Sequence, residues 1–200
     1  MGTRTRPMTT AETDAFIQVL NNAPESELPY AAAAALALGT GARIGEVLRM
    51  RVKDIFAPDG TPKERVTRDV EKNGAAPRLT LPFPWKRMGN AVIRWFQKKK
   101  IKGQDQLFIG RNQKVCYRHQ QKLLKLAGLP ATGIAFHGLR KTCLIRFHET
   151  FAKRFGGESP TVWRKTQKLA GHRRIDTTMI YLDRDRDGAS DPEIREAWQN

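Results

Sequence analysis

The chain has 200 residues, 40% of them hydrophobic, which suits one globular domain with a proper core, or one with a small appendage. Its 36 Lys and Arg against 20 Asp and Glu leave a formal charge of +16, spread from Arg4 to Arg195 rather than gathered in a tail. No stretch reads as disordered, and a folded surface this basic favours a polyanionic partner, nucleic acid ahead of an anionic membrane surface. Cys116 and Cys143 are the only cysteines, outside any CxxC or Cys/His cluster, which argues against a disulfide framework or a zinc site and fits a reducing cytosol or nucleoid. The apolar run AAAAALAL at 31–38 is far too short to span a bilayer, and the chain opens on polar residues with no visible signal peptide.

In chain order, Thr9 or Thr10 can cap a helix over 11–22 with Phe16, Val19 and Leu20 on its inner face. Pro24 and SELP end it, and the alanine-rich stretch 30–38 starts a second helix that packs closely. GTGAR at 39–43 reads as a tight turn released by Gly39 and Gly41. A third helix follows over 44–51 with Ile44, Val47 and Leu48 inward. APDG at 57–60 is a turn, and VTRDVEKNGAAPRLTLP from 66 reads as strand, turn, strand, with NG at 73–74 as the hairpin signal. Residues 90–99 form an amphipathic helix through Val92, Ile93 and Phe96, and 117–127 another through Leu123, Leu124 and Leu126, closed by Gly128 and Pro130. Further helices run over 137–151 and 161–169, on either side of the basic, Gly-rich FAKRFGGESP, and Asp176 can cap a short helix carrying Tyr181. A polar DRDRDGASD linker leads to a terminal helix, PEIREAWQ. The fold class is mainly α with a small antiparallel β-sheet (α+β), without internal repeats.

The polar residues that could do chemistry are few. His137 and Arg140, in HGLR, share one face at the start of a helix, where Leu139, Cys143 and Phe147 anchor the other face. A helix start favours anions, and an arginine fork there can grip two phosphate oxygens. Arg43 follows the glycine turn with Glu46 one helical turn on. Such a pair is commonly a plain intrahelical contact, and it can also be a phosphate-gripping arginine beside a carboxylate that orients a neighbour, such as His137. Lys72 at the hairpin turn is either solvated or positioned to deliver an ammonium to a leaving oxygen; Lys63, in the loop before the first strand, is a poorer candidate. His172 follows Gly171, and Tyr181 lies beyond it in TTMIYLD. Phenol ionises near pH ~10, so a nucleophilic tyrosine needs nearby cations or a base, which Arg173, Arg174 and the two histidines could supply.

Taken together, GARIGEVLRMRVKDI, VEKNGAAPRLTLP, FHGLRKTCLIRF and LAGHRRIDTTMIYLD resemble, in the same order, the catalytic domain of the tyrosine recombinases (phage integrase family), from about residue 10 to 183. The HxxR, GH and Tyr arrangement is highly specific to that family; the lysine hairpin is less so. The resemblance implies the tyrosine recombinase catalytic-domain fold over 1–183, with 184–200 as a linker and C-terminal helix. It implies a site-specific DNA recombinase or integrase that cleaves and rejoins strands through a 3′-phosphotyrosyl intermediate, with no metal, cofactor or ATP. By motif, Arg43 and Arg140 would bind the non-bridging oxygens of the scissile phosphate, and Lys72 would protonate the departing 5′ oxygen. His137 would act in proton transfer with Glu46 in support, His172 would hydrogen-bond the phosphate, and Tyr181 would be the nucleophile. The implied partners are double-stranded DNA at a specific site and three further copies of the chain on that DNA, with a monomer when free and no membrane; the implied setting is the bacterial cytoplasm, at the nucleoid, on a mobile element or phage. In a tetramer the terminal helix would dock on a neighbour through Ile194 and Trp198; self-packing or fraying is the alternative.

Three departures stand out. Barely ten residues precede the first helix, where relatives usually carry a helical DNA-clamping domain, so the chain reads either as an excised piece or as a short recombinase of the fimbrial-switch type. The stretch between Arg140 and His172 is long, with the excess around 152–160 as a DNA-contacting or partner loop, and LAGH stands where LLGH is commoner. Two other classes stay open: a type IB topoisomerase, which shares the Tyr, Arg and His chemistry, and a non-catalytic DNA-binding module.

Overall fold

The alanine-rich segment is the hub of the helices around it, because side chains this small let four neighbours approach one helix. The computed structural model describes residues 5–70, 78–99 and 103–183, without the side chains of residues 180, 181 and 183. Its elements run α1 (Thr10–Asn21), α2 (Leu28–Thr40), α3 (Ile44–Arg49), α4 (Val52–Ile55), β1 (Arg65–Asp69) and β2 (Arg78–Pro82). They continue with α5 (Trp85–Met88), α6 (Asn90–Lys98), α7 (Gln113–Leu126), α8 (Phe136–Arg154), α9 (Pro160–Ala170) and α10 (Ile175–Asp183). The chain divides into two compact units, Met1–Cys143 and Leu144–Asn200.

In the first unit every residue of α2 is buried, and α1, α3, α6 and α7 pack against it. Pro29 opens the helix, where its missing N–H costs nothing. Gly41 ends it in the left-handed region at φ 64, which a glycine adopts without strain. Gly39 does not serve the turn, as its spacing suggests. It lies inside α2, and a Cβ there would sit 2.4 Å from the Phe83 ring, so the position is glycine for close approach. The helix expected over 44–51 is split, because Met50 takes an extended conformation and α4 begins at Val52.

α1 starts with a reciprocal cap: Thr9 Oγ1 accepts from Glu12 N at 3.2 Å, and Glu12 accepts from Thr9 N at 2.9 Å. The inner face of α1 is Phe16, Ile17 and Leu20, with Val19 half-buried. On α6 the buried aromatic is Trp95, whose Nε1 donates to the Phe108 carbonyl at 2.9 Å, while Ile93 and Phe96 are half-buried. Phe96 stacks on Phe56 at 4.0 Å between centroids. β1 and β2 pair antiparallel from Arg65↔Pro82 to Asp69↔Arg78. The hairpin tip expected at Asn73 and Gly74 lies outside the described residues. α7 is capped by Asn112, whose side chain accepts from Val115 N at 2.9 Å, and Gly128 closes it at φ 69.

The start of α8 is held by the N-terminal segment. Arg6 N donates to the Gly133 carbonyl at 2.8 Å, and Met8 N donates to Thr142 Oγ1 at 2.8 Å. A Cβ on Gly138 would meet the Arg6 carbonyl at 2.6 Å, so the glycine inside HGLR makes room for another stretch of backbone. Both cysteines are buried and outside any disulfide, and burial pushes the Cys116 thiol up to about 11.

In the second unit α9 and α10 pack on each other. Ser159 caps α9, and Gly171 ends it in the left-handed region at φ 64. Asp176 is not the cap of α10 but lies in its first turn, where a carboxylate favours the helix dipole. Helix α8 runs on to Arg154, so the loop in FAKRFGGESP is confined to its second half. Among the described residues no helix is long and apolar enough to cross a membrane.

Candidate active site

The left-handed turn at Gly41 sets Arg43 in extended backbone at the head of α3. Glu46, in the first turn, folds back on it. One carboxylate oxygen accepts from Arg43 N at 2.9 Å, and the other accepts from Arg43 Nη1 at 3.0 Å. The helix start and the arginine are thus held by a single carboxylate, which is fully buried while the Arg43 side chain keeps 28% of its surface. A second arginine, Arg68 on β1, also donates to Glu46 Oε2, and it too is fully buried. Burial pulls the Arg68 guanidinium below its ordinary range, and the Glu46 charge opposes that shift.

Arg140, on the first turns of α8, is buried and donates through Nη1 to the Gly41 carbonyl. That bond ties α8 to the turn carrying Arg43, across almost a hundred residues of chain. Arg43, His137 and Arg140 then line one pocket of about 200 Å³. His137 is exposed beside it. The far wall belongs to α7, through Gln113 and Tyr117, and the Tyr117 ring packs edge-on against Phe136 at 5.4 Å. Among the described residues the pocket has cationic side chains and no acidic one in its lining, so its electrostatics favour an anion.

His172 and Tyr181 belong to the second unit. His172 follows the αL turn at Gly171; its N donates to the Gln167 carbonyl at 3.2 Å, and its Nδ1 is 3.0 Å from Thr178 Oγ1. Tyr181 lies in α10, with its side chain outside the description. Of the cations near it in sequence, Arg174 pairs with Asp176 at 2.8 Å. Lys72 is outside the described residues. Lys63 donates to the Lys53 carbonyl at 2.5 Å, a contact that fastens a loop. Motif reading passed over Arg68, Gln113 and Tyr117. A signal for Arg68 was available, because Val66, Arg68 and Val70 share the inward phase of one strand, and a charge there requires a buried partner. Gln113 and Tyr117, one helical turn apart, carried no comparable mark.

The fold is that of tyrosine recombinase catalytic domains. It is similar to a XerH site-specific recombinase bound to difH substrate in a pre-cleavage complex (TM-score 0.65, 14% identity, 89% of this chain and 50% of that one). It is also similar to a lambda integrase dimer bound to a COC′ core site (TM-score 0.60, 19% identity, 94% and 50%). The catalytic domain of bacteriophage HP1 integrase matches over 90% of this chain and 88% of its own (TM-score 0.57, 18% identity). The chain spans about half the length of the XerH and lambda integrase chains. None of the curated proteins compared matches it. The model of the phage integrase family matches residues 6–187, and the chain belongs to that family.

Proposed function

We propose that this chain is the catalytic domain of a tyrosine-type site-specific DNA recombinase. Family membership supports the reaction class, and the observation that carries the reading to particular residues is the acid-free pocket lined by Arg43, His137 and Arg140. Phosphoryl transfer rests on positioning and on neutralising charge at the non-bridging oxygens, which two arginine forks supply. Arg43 and Arg140 bind the scissile phosphate, His137 takes part in proton transfer, and His172 adds a hydrogen bond. Tyr181 attacks the phosphorus and forms a 3′-phosphotyrosyl link, while Lys72 protonates the departing 5′ oxygen. The covalent link conserves the energy of the phosphodiester, so a 5′ hydroxyl from a second strand completes rejoining without ATP. The partner is double-stranded DNA, with four copies of the chain assembled on it.

The test is trapping on a nicked suicide duplex carrying the cognate site. Wild-type protein forms a covalent adduct, and Tyr181→Phe binds the same duplex but forms none. Equal adduct in both proteins would remove Tyr181 from the role. Strand exchange between two labelled duplexes separates recombination from relaxation of a type IB topoisomerase. A non-catalytic DNA-binding module forms no adduct in either protein.

A further inference from the structure

Glu46 is shared by two arginines that face different surroundings. Arg68, fully buried, holds one carboxylate oxygen, and Arg43, at the pocket, holds the other. One carboxylate between two guanidiniums leaves one net positive charge in the cluster. Take Arg68 away, and the guanidinium that lines the pocket feels more of the Glu46 carboxylate's field. We infer that Arg68 is a positioning residue that offsets the Glu46 charge, so that Glu46 can orient Arg43 without cancelling the charge Arg43 presents to an anion. This rests on the reading of the pocket as a phosphate site, and it assigns a role to a residue outside the recombinase motifs. A solely structural role for Arg68, neutralising a buried carboxylate, would lower stability on its replacement by an apolar side chain without weakening anion binding by the folded protein.

The probe is inorganic sulfate, a dianion whose charge is constant near neutrality, titrated at low ionic strength and followed by the ring resonances of His137 beside the pocket. Wild-type protein shows a saturable shift that Arg43→Ala abolishes. Arg68→Met weakens sulfate binding about tenfold, the scale of one charge-assisted hydrogen bond. Arg68→Lys retains most of the affinity, and the double variant Arg68→Met/Glu46→Gln binds sulfate more tightly than Arg68→Met, because the carboxylate charge that cancels Arg43 is gone even though the amide holds Arg43 less well. If Arg68→Met fails to fold, the double variant is compared with Glu46→Gln instead: with the carboxylate charge gone, removing Arg68 changes sulfate affinity by less than about threefold. Wild-type affinity in Arg68→Met, or a double variant that binds no better than Arg68→Met or about tenfold weaker than Glu46→Gln, overturns the inference and leaves the phosphate pocket standing. No saturable shift in wild-type protein overturns the pocket reading, and the role of Arg68 falls with it.

Discussion

Each unit of the molecule contains a buried basic side chain held by a carboxylate, and the two are built differently. In the first, Glu46 and Arg68 are both sealed from water, and Arg43 reaches the same carboxylate from the pocket side. In the second, His148 on α8 is buried, with Nδ1 at 3.0 Å from Thr166 Oγ1 and Nε2 at 2.9 Å from both oxygens of Glu158. There the carboxylate keeps 44% of its side-chain surface, and Trp163 covers the imidazole at 4.4 Å between rings. When a sealed pair loses one member, the other is stranded in low dielectric. When a half-open pair loses one, water takes its place. The first arrangement therefore ties a pocket residue to the stability of its unit, and the second fastens the end of a loop at modest energetic consequence.

The largest effect expected is at Glu46. Glu46→Ala leaves Arg68 buried without that carboxylate and should cost about 3–5 kcal/mol in urea unfolding; a loss below ~1 kcal/mol would contradict the sealed-pair description. Gly138→Ala tests shape instead of charge in the same unit. The new methyl meets the Arg6 carbonyl, so a loss of about 1–3 kcal/mol is expected, read as a lowered Tm. In the second unit His148→Ala should cost about 1–2 kcal/mol and raise amide exchange around residues 155–159, whereas Glu158→Gln should change stability by less than ~1 kcal/mol. Comparable losses from Glu158→Gln and Glu46→Ala would erase the distinction between the two pairs.

The smallest effect belongs to an exposed pair. Arg6 holds Glu12 through two hydrogen bonds, at 2.5 and 2.7 Å, and draws its carboxyl down from 4.5 to about 2. A depressed carboxyl contributes its stability above the ordinary value, and that contribution is lost as pH falls from 4.5 toward 2. Arg6→Ala should flatten the pH dependence of unfolding in that window, by less than ~1 kcal/mol because Arg6 faces solvent. An unchanged acid limb in Arg6→Ala would show that the pair contributes nothing.

Much of this architecture was legible in the chain. Helix positions followed from apolar spacing and from Thr9, Gly128, Gly171 and the prolines, all of which act within a few residues of themselves. The hairpin strands followed from alternation. Arg43, His137 and Arg140 could be named because glycine turns and helix starts mark places where anions gather. The misreadings share a cause. Gly39 is glycine because a distant ring presses on it, and local spacing makes it look like part of a turn. Trp95 faces inward because the Phe108 carbonyl satisfies its indole N–H, a partner no helical wheel contains.

By itself, the sequence determined the kinds of residue available for the chemistry, their order, and the family to which the chain belongs, since these are carried by short motifs and local periodicity. Only the tertiary structure decided that Arg140 reaches the Gly41 carbonyl, that Arg68 lies against Glu46, and that Gln113 and Tyr117 close the pocket. Each of those contacts joins segments far apart in the chain. Chain entropy opposes such closures, and packing around α2 supplies the free energy that holds them, so they are properties of the whole folded unit rather than of any window of sequence.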